Sequence, residues 1–168
     1  DGKIPSDDFW ISFGYKLAKM HSHSNKFFGL DYNNYIGSLS QENTQHRDAI
    51  EFFINCRLLP QIRLISKSSN NQLFKRFDKL FSKLSEILPN DKPALIHGDL
   101  WNGNFMVDIS GAPVLVDPAV YYGSREIDIA MSKLFGGFSN QFYESYNEKF
   151  PLEKDWQSRV DIWNLYPL

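Results

Sequence analysis

The chain has 168 residues, of which 42% are hydrophobic and 15% aromatic, a composition that suits one globular domain with a substantial core. Its 18 basic and 20 acidic residues give a net charge of −2, which argues against a nucleic-acid or membrane partner recognised through bulk positive charge. The single cysteine, Cys56, lies in an apolar run, excludes an internal disulfide and favours a reducing, cytoplasmic setting.

Membrane and targeting segments are not expected. No apolar stretch approaches the roughly 18–20 residues that a membrane-spanning helix needs, and the first residues lack a signal-peptide pattern. The chain starts without Met and stops inside an amphipathic run that ends WNLYPL. We therefore expect it to be part of a longer protein.

The first third of the chain predicts two helices separated by a loop. Ser6 can cap a helix that ends near His21, because apolar residues recur behind it at helical spacing: Phe9, Phe13, Leu17 and Met20. Residues 23–43 combine Gly and Asn with scattered aromatics, which indicates an ordered loop. A long apolar helix is predicted from Thr44 to about Ile65, with a kink at Pro60.

The pattern changes from helical to strand-like and back in the rest of the chain. A third helix is predicted from about Asn71 to Leu88, with one apolar stripe and a lysine-rich opposite face. Short strands follow at 94–96, 105–107 and 114–116, and helices resume at 126–135, at 139–150 and from about Lys154. The predicted fold is therefore α+β and mainly helical, around a small antiparallel hairpin.

Four polar residues stand at the ends of the predicted strands: His97, Asp99, Asn104 and Asp117. A hairpin returns its second strand beside its first, so these residues should share one neighbourhood. Asp and Asn are oxygen donors of the kind that Mg²⁺ prefers when it bridges protein to phosphate. Asp99 stands five residues before Asn104, and this D-x-x-x-x-N spacing followed by a further Asp is the pattern of a kinase catalytic loop.

Five segments of the sequence extend that pattern to a particular family. HGDLWNGN, VLVDPA and YYGSREIDIA, preceded by NNYIGSLSQEN and EFFINCRLLPQIRL, resemble the carboxy-terminal lobe of the fructosamine kinase (ketosamine 3-kinase) family. This family is related to aminoglycoside phosphotransferases and choline kinases. The resemblance covers nearly the whole chain, and the Trp after GDL, the DPA and the GSREIDIA run distinguish it from the wider superfamily.

The resemblance implies a kinase-like carboxy-terminal lobe over residues 1–168 and a definite division of labour. Asp99 would be the catalytic base toward a sugar hydroxyl, and Asn104 with Asp117 would hold Mg²⁺ against ATP. The implied reaction is phosphorylation of the 3-hydroxyl of ketoamines, the adducts of sugars with amines, as a deglycation repair step.

Several other residues are not assigned to the catalytic base or to the metal site. A structural role is predicted for His97, which we expect to bond nearby backbone, and for Asp128, which in kinase-like folds fastens the catalytic loop through backbone N–H groups. Trp101 lies two residues after the presumed base and is either core or a stacking platform for the substrate. The remaining histidines are interpreted as surface or capping residues: His21, His23 and His46.

Some parts of a kinase are not found in the sequence. It has no G-x-G-x-x-G loop, no G-K-[ST] and no strand with a lone phosphate-binding Lys, so we expect an amino-terminal nucleotide-binding lobe as the missing partner. Three alternatives remain at this stage: a metallophosphoesterase, a non-catalytic module of kinase shape, and an aminoglycoside or choline kinase.

Overall fold

The computed structural model describes residues 5–65 and 71–168. Its helices are α1 (Asp7–His21), α2 (Ala49–Phe52), α3 (Leu59–Ile65), α4 (Asn71–Phe81), α5 (Leu84–Ile87), α6 (Glu126–Leu134), α7 (Asn140–Lys149) and α8 (Val160–Trp163). Its strands are β1 (Asn34–Ile36), β2 (Leu39–Gln41), β3 (Ala94–Ile96), β4 (Phe105–Val107), β5 (Pro113–Leu115) and β6 (Tyr121–Gly123). A π-helical segment (Phe53–Leu58) joins α2 to α3, and a 3₁₀ turn (Trp156–Arg159) precedes α8.

Helix α1 begins and ends where the sequence predicts. The Ser6 hydroxyl accepts a hydrogen bond from the backbone N–H of Phe9 at 3.2 Å, and Asp7 and Asp8 in the first turn favour the positive end of the helix dipole. One face of the helix is buried against α7. Gly14 makes this close approach possible, because a side chain there would meet the backbone of α7.

The predicted helix from Thr44 to Ile65 begins later and is not uniform. Asp48 caps it by accepting from two backbone N–H groups at 2.9 Å, so the helix starts at Ala49. Pro60 has no N–H for the carbonyl of Cys56, four residues earlier. The Arg57 guanidinium donates to that carbonyl at 2.9 Å, and the π-helical segment lies at the same place.

The predicted single helix from Asn71 to Leu88 is two helices, α4 and α5. The helix stops at Phe81, where the Ser82 hydroxyl bonds back to the carbonyl of Lys79 at 2.9 Å and competes with the helical pattern. The apolar stripe predicted for this segment should be buried. Leu84 is fully buried, as expected, but Ile87 is 38% exposed.

The strands form three two-stranded antiparallel sheets, β1–β2, β3–β6 and β4–β5. The β4–β5 hairpin was predicted, with β5 one residue later than observed. Two pairings were not predicted: β1 and β2 lie inside the segment interpreted as a loop, and β3 pairs with β6 rather than with the hairpin. The architecture is α+β with small antiparallel sheets, as the sequence predicts.

Two apolar clusters hold these elements together. The first contains Phe52, Phe53, Ile96, Tyr121 and Trp163, and the second is rich in aromatic residues from α1 and α7. Leu100, which follows Asp99, is fully buried in the second cluster. The polar strand ends therefore lie at the junction of the two clusters. No helix among the described residues is long and apolar enough to cross a membrane.

Candidate active site

The segment between β3 and β4, residues 97–104, forms a compact loop that we call the HGD loop. Asn104 closes it, because its side-chain Nδ2 donates both to the backbone carbonyl of Asp99 and to the Asp99 carboxylate, each at 2.9 Å. Asn104 is 6% exposed, whereas Asp99 is partly exposed, so the contact is shielded on the Asn104 side. The five-residue spacing in the sequence thus corresponds to a direct contact between the two side chains.

The end of β5 lies beside the HGD loop. The backbone N–H of Val116 donates to the carbonyl of Asn104 at 3.0 Å, and the Nε2 of His97 bonds to the Val116 carbonyl at 2.9 Å. Asp117 follows at once, is exposed, and has a left-handed backbone with φ of 49°. The four polar residues at the strand ends are therefore in one neighbourhood, as the sequence predicts.

Asp99 has an environment that disfavours its charge. Burial raises the pKa of the Asp99 carboxyl, and the negative charges of Asp128 and Asp117 act in the same direction. The hydrogen bond from Asn104 and the proximity of His97 oppose this shift without cancelling it. A carboxylate with a raised pKa is a stronger base than a free one, which suits proton abstraction from a hydroxyl.

Asp128, near the start of α6, is fully buried below the HGD loop. Its Oδ2 accepts from the backbone N–H of His97 at 2.7 Å, and its Oδ1 accepts from the backbone N–H of Gly98 at 2.8 Å. Burial alone would raise the pKa of this carboxyl, but the hydrogen bond and charge of His21, with smaller contributions from His97, lower it. These are the contacts to backbone that the sequence analysis expects of Asp128.

The interpretation of His21 as a surface or capping residue is wrong. The side chain is 1% exposed, and its two ring nitrogens bond to Asp128 and to the hydroxyl of Tyr146. The helical period of α1 places His21 four residues after Leu17, on the buried face of the helix. That periodicity is the signal that the sequence interpretation passed over.

A cleft of about 340 Å³ opens beside Asp99, and we call it the Asp99 cleft. The side chain of Trp101 lines it, lies against Gly103 and meets Phe135 edge to face, with ring centroids 5.7 Å apart. Sequence reasoning missed most of the other lining residues, which come from distant segments: Ile36, Gly37, Leu39, Gln61, Met131, Phe135, Tyr166, Pro167 and Leu168.

The β1–β2 hairpin forms one wall of the Asp99 cleft and is fixed by side-chain amides. The Nε2 of Gln41 donates to the carbonyl of Ala119 at 3.0 Å, and the Nδ2 of Asn34 donates to the carbonyl of Val120 at 2.8 Å. The hydroxyl of Tyr166 donates to the Oε1 of Gln41 at 3.0 Å. No short-range sequence signal could reveal these contacts, because each one joins positions far apart in the chain.

The donor set at the strand ends fits a cation that is shared with phosphate groups. Within residues 5–65 and 71–168, no three His, Cys, Asp or Glu side chains gather into a ready-made metal site. Asn104 and Asp117 offer one amide and one carboxylate, both oxygen ligands, and Asp99 lies beside them. Such a partial set is typical of Mg²⁺, which takes its other ligands from water and substrate phosphates.

Comparison with known proteins identifies the family. The family model for fructosamine kinase matches residues 2–168. A protein of Enterococcus faecium named as a probable ketoamine kinase is 43% identical over 157 residues, which are 90% of this chain and 56% of that protein. The chloroplastic protein-ribulosamine 3-kinase of Oryza sativa subsp. japonica is 38% identical over 160 residues, which are 92% of this chain and 46% of that protein.

Solved structures agree with the sequence comparisons. A crystal structure from Thermobifida fusca, of a protein provisionally named fructosamine-3-kinase, superposes with a TM-score of 0.90 at 34% identity. The match covers 99% of this chain and 59% of that one. The chain thus spans little more than half the length of such relatives. With a family model matched over residues 2–168 and the same fold in a related structure, the chain belongs to the fructosamine kinase family.

Proposed function

We propose that the protein phosphorylates the 3-hydroxyl of ketoamines, such as fructosamine or ribulosamine adducts, with ATP as donor and as a deglycation repair step. One observation carries the proposal: the Asp99 carboxylate lines a cleft on one side and is bonded by Asn104 on the other, with Asp117 at the adjoining strand end. This arrangement separates an acceptor side from a cation side. The names of the relatives, ketoamine kinase and ribulosamine 3-kinase, support the choice of acceptor.

Each residue has one task in the proposed reaction. Asp99 takes the proton of the acceptor hydroxyl as that oxygen bonds to the γ-phosphorus, while the bond from this phosphorus to the β–γ bridging oxygen breaks and ADP leaves. The raised pKa of Asp99 makes it a better base. Asn104 and Asp117 would hold Mg²⁺, since Asp99 engages the Asn104 amide nitrogen and the amide oxygen is left for the cation. The ion would neutralise charge on the phosphates of ATP.

The walls of the Asp99 cleft position the acceptor. Trp101 offers an aromatic face on which the sugar or the amine-bearing arm can stack. His97 and Asp128 do not contact the reacting groups in this proposal. Asp128 accepts hydrogen bonds from the backbone of the HGD loop, and the His97 ring bonds this loop to the Val116 carbonyl at the end of β5.

The nucleotide needs further groups that belong to another part of the protein in this proposal. The relatives are longer than this chain, and its sequence has no glycine-rich phosphate loop. We infer that residues 1–168 form the acceptor and metal-binding lobe of a two-lobe kinase. The nucleotide then binds between this lobe and an amino-terminal one.

The lining of the Asp99 cleft favours a ketoamine over the polycationic acceptors of related kinases. Asp99 is the one acidic residue among the lining residues, which are otherwise apolar or neutral. Aminoglycosides carry several positive charges and favour sites with several acidic residues, which this lining does not provide. Against choline, the support comes from the names of the relatives, ketoamine kinase and ribulosamine 3-kinase. A non-catalytic module is not favoured either, because Asp99, Asn104 and Asp117 remain together.

An acceptor panel tests the proposal. The full-length protein would be assayed with MgATP and fructosyl-amine, ribulosyl-amine, choline and aminoglycoside acceptors, with the Asp99→Asn variant as control. We expect phosphate transfer to the ketoamines alone and its loss in the variant, with the product phosphate at the 3-position by NMR. Transfer to choline or an aminoglycoside in preference to the ketoamines would overturn the assignment.

A further inference from the structure

A buried hydrogen-bond chain runs from helix α7 through helix α1 to the HGD loop. The Tyr146 hydroxyl lies 2.7 Å from the Nδ1 of His21, and the Nε2 of His21 lies 3.1 Å from the Oδ2 of Asp128. His21, Tyr146 and Asp128 are each 1% exposed or less. His21 has no role in the reaction proposed above, although it is a buried titratable group two hydrogen bonds away from the HGD loop.

The direction of these hydrogen bonds follows from the chemistry of the partners. A carboxylate that receives backbone N–H groups on both oxygens is an acceptor, so His21 must donate from Nε2. Its Nδ1 then accepts from the Tyr146 hydroxyl when the ring is neutral. Asp128 therefore receives three donors: one from His21 and two from the backbone that immediately precedes Asp99.

The donor from His21 helps to compensate a buried charge that would otherwise have only two backbone N–H groups as donors. Asp128 is fully buried, and no Lys or Arg pairs with it among the described residues. The Oδ2 that His21 contacts also receives the N–H of His97. Without His21, this carboxylate would lose its one side-chain donor, and would take up a proton or turn toward another donor.

We propose that His21 is a positioning residue for phosphate transfer: its Nε2–H holds the Asp128 carboxylate in the orientation that anchors the backbone of His97 and Gly98, and this anchoring fixes Asp99. The proposal rests on the function proposed above, in which Asp99 is the base. It extends the functional site from the cleft to the interface of α1 and α7.

The packing of α1 on α7 explains how His21 itself is held in place. Gly14 leaves no side chain between the two helices, where a Cβ would meet Ser145 and the backbone of Phe142. This approach brings Tyr146 within reach of His21, and the Tyr146 hydroxyl sets the orientation of the imidazole ring. His21 is thus fixed on both sides, which a donor needs in order to orient an acceptor.

The test compares variants of the full-length protein that differ in one hydrogen bond. His21→Phe removes both hydrogen bonds of the ring, His21→Gln keeps an N–H donor, and Tyr146→Phe removes only the outer contact. Leu17→Ala is the matched control, since Leu17 is a buried residue of the same helix whose aliphatic side chain can donate no hydrogen bond to Asp128. Each variant would be measured for thermal stability, for kcat and KM, and for hydrogen exchange at the amides of His97 and Gly98.

We expect His21→Phe to lower kcat with the ketoamine about tenfold or more while the KM for MgATP changes less than about twofold. His21→Gln should recover most of kcat, and Tyr146→Phe should lower it by about two- to fivefold. Leu17→Ala should lower the melting temperature and leave kcat within about twofold. Exchange at the two amides should accelerate in His21→Phe but not in Leu17→Ala.

Two results would overturn the proposal. One is an unchanged kcat and unchanged amide protection in His21→Phe, and the other is an equal loss of kcat in Leu17→Ala. If His21→Phe does not fold, the comparison of His21→Gln with Tyr146→Phe decides, because equal kcat in these two variants and the wild type contradicts positioning. If the wild type phosphorylates no ketoamine, the proposed function fails, and the exchange comparison still decides whether His21 anchors the HGD loop.

Discussion

Asp99 and Asp117 are both carboxylates at strand ends, but their surroundings differ. Asp99 is partly buried, bonded by Asn104 and lines a cleft, whereas Asp117 is exposed at the end of β5. The first environment suits a base, and the second suits a ligand for a cation that arrives with the nucleotide. Substitutions of the two residues should therefore affect different steps, catalysis for Asp99 and nucleotide binding for Asp117.

We predict that Asp99→Asn in the full-length protein leaves MgATP binding largely intact and lowers kcat by about a hundredfold or more, as expected for a lost general base. Asp117→Ala should instead weaken MgATP binding, because one of the two proposed cation ligands is removed. Nucleotide titration and steady-state kinetics measure the two effects. The same profile in both variants, with nucleotide affinity lost in each, would show that the division of roles is wrong.

Gly98, beside Asp99, carries two constraints that can be separated by experiment. Its φ is 81°, and a Cβ there would collide with the backbone carbonyl of Ala119. Gly111, in the β4–β5 turn, has a similar φ of 86° but has nothing within 4 Å of the position of its Cβ. The pair therefore compares a backbone cost alone with the same cost plus a collision.

We predict that Gly111→Ala costs about 1 kcal/mol of unfolding free energy and leaves kcat unchanged. Gly98→Ala should cost about 1–3 kcal/mol more, and should also lower kcat because the HGD loop must move to relieve the collision. Denaturant unfolding and kinetics of both variants provide the measurement. Equal stability losses would mean that the backbone at Ala119 yields freely.

At the scale of elements, the sequence predicts what local patterns encode. Helices α1, α6 and α7 and the β4–β5 hairpin follow from apolar periodicity and turn residues close together in the chain. Strand β6 and the β1–β2 hairpin do not, because their positions depend on contacts with distant segments of the chain. Ala119 and Val120, for example, are bonded by Gln41 and Asn34 from 78 and 86 positions away.

For the candidate site, too, the sequence predicts what local motifs encode and does not predict what depends on distant contacts. The spacing of Asp99, Asn104 and Asp117 is a local motif, so the sequence was sufficient to place them together. The walls of the Asp99 cleft come from segments such as residues 36–39, Gln61 and Tyr166, and only the folded chain brings these together. His21 could have been recognised as buried from the helical period of α1, but its partners Asp128 and Tyr146 lie more than 100 positions away.

Asp91 ties the segment before β3 to the start of α6. Its Oδ2 accepts from the Ser124 hydroxyl at 2.7 Å, and its Oδ1 is buried without a hydrogen-bond partner among the described residues. Burial raises the pKa of this carboxyl to about 6, with Glu126 acting in the same direction and Ser124 opposing. The folded protein therefore binds this proton more tightly than the unfolded chain does.

The sign of the resulting pH dependence is fixed by that difference. The stabilising contribution of protonated Asp91 is complete below the ordinary carboxyl pKa and is lost as the pH rises through about 6. Asn cannot ionise and keeps an acceptor for Ser124. Between pH 4 and pH 7.5, Asp91→Asn should therefore gain stability relative to the wild type, on the order of 2–3 kcal/mol in denaturant unfolding.

Asp108 provides a control, because its carboxyl pKa is lowered whereas that of Asp91 is raised. It lies in the β4–β5 turn, and hydrogen bonds from Ser110 and Ala112 lower the pKa of its carboxyl. Its stabilising contribution is present above the ordinary pKa of a carboxyl and is lost as the pH falls through the lowered one. Asp108→Asn should thus lose stability relative to the wild type as the pH rises toward the ordinary carboxyl pKa of about 4, and should show little further change between about pH 4 and pH 7.5. The same trend in both variants would contradict the assigned shift of Asp91.

At the scale of the whole molecule, the candidate site lies where two apolar clusters meet. Ile96, before the HGD loop, belongs to one cluster, and Leu100, within the loop, belongs to the other; both side chains are fully buried. The polar residues between them are therefore fixed by two independent cores. This explains how a short loop can hold Asp99 in place without a long sheet to support it.

The described residues offer fewer candidate contacts for the proposed triphosphate than for the proposed acceptor. Asn104 and Asp117 are proposed to hold the cation, but no Lys or Arg lines the Asp99 cleft within residues 5–65 and 71–168, and the sequence has no glycine-rich phosphate loop. Phosphate transfer requires the γ-phosphate to be held in line with the attacking oxygen, which a cation held by two ligands does not achieve. Without a bound cation, Asp99 and Asp117 also repel the negative phosphates.

We therefore predict that residues 1–168 alone bind MgATP weakly, with a dissociation constant of about 1 mM or higher, and transfer no measurable phosphate to a ketoamine. The full-length protein should bind MgATP at least about tenfold more tightly and be active, since the proposed amino-terminal lobe supplies the remaining grip on the triphosphate. Calorimetric titration of MgATP and a phosphate-transfer assay on both proteins measure the difference. Because Asp99 and Asn104 are already in contact in this chain, micromolar affinity together with turnover by residues 1–168 would mean that the nucleotide site is complete within it.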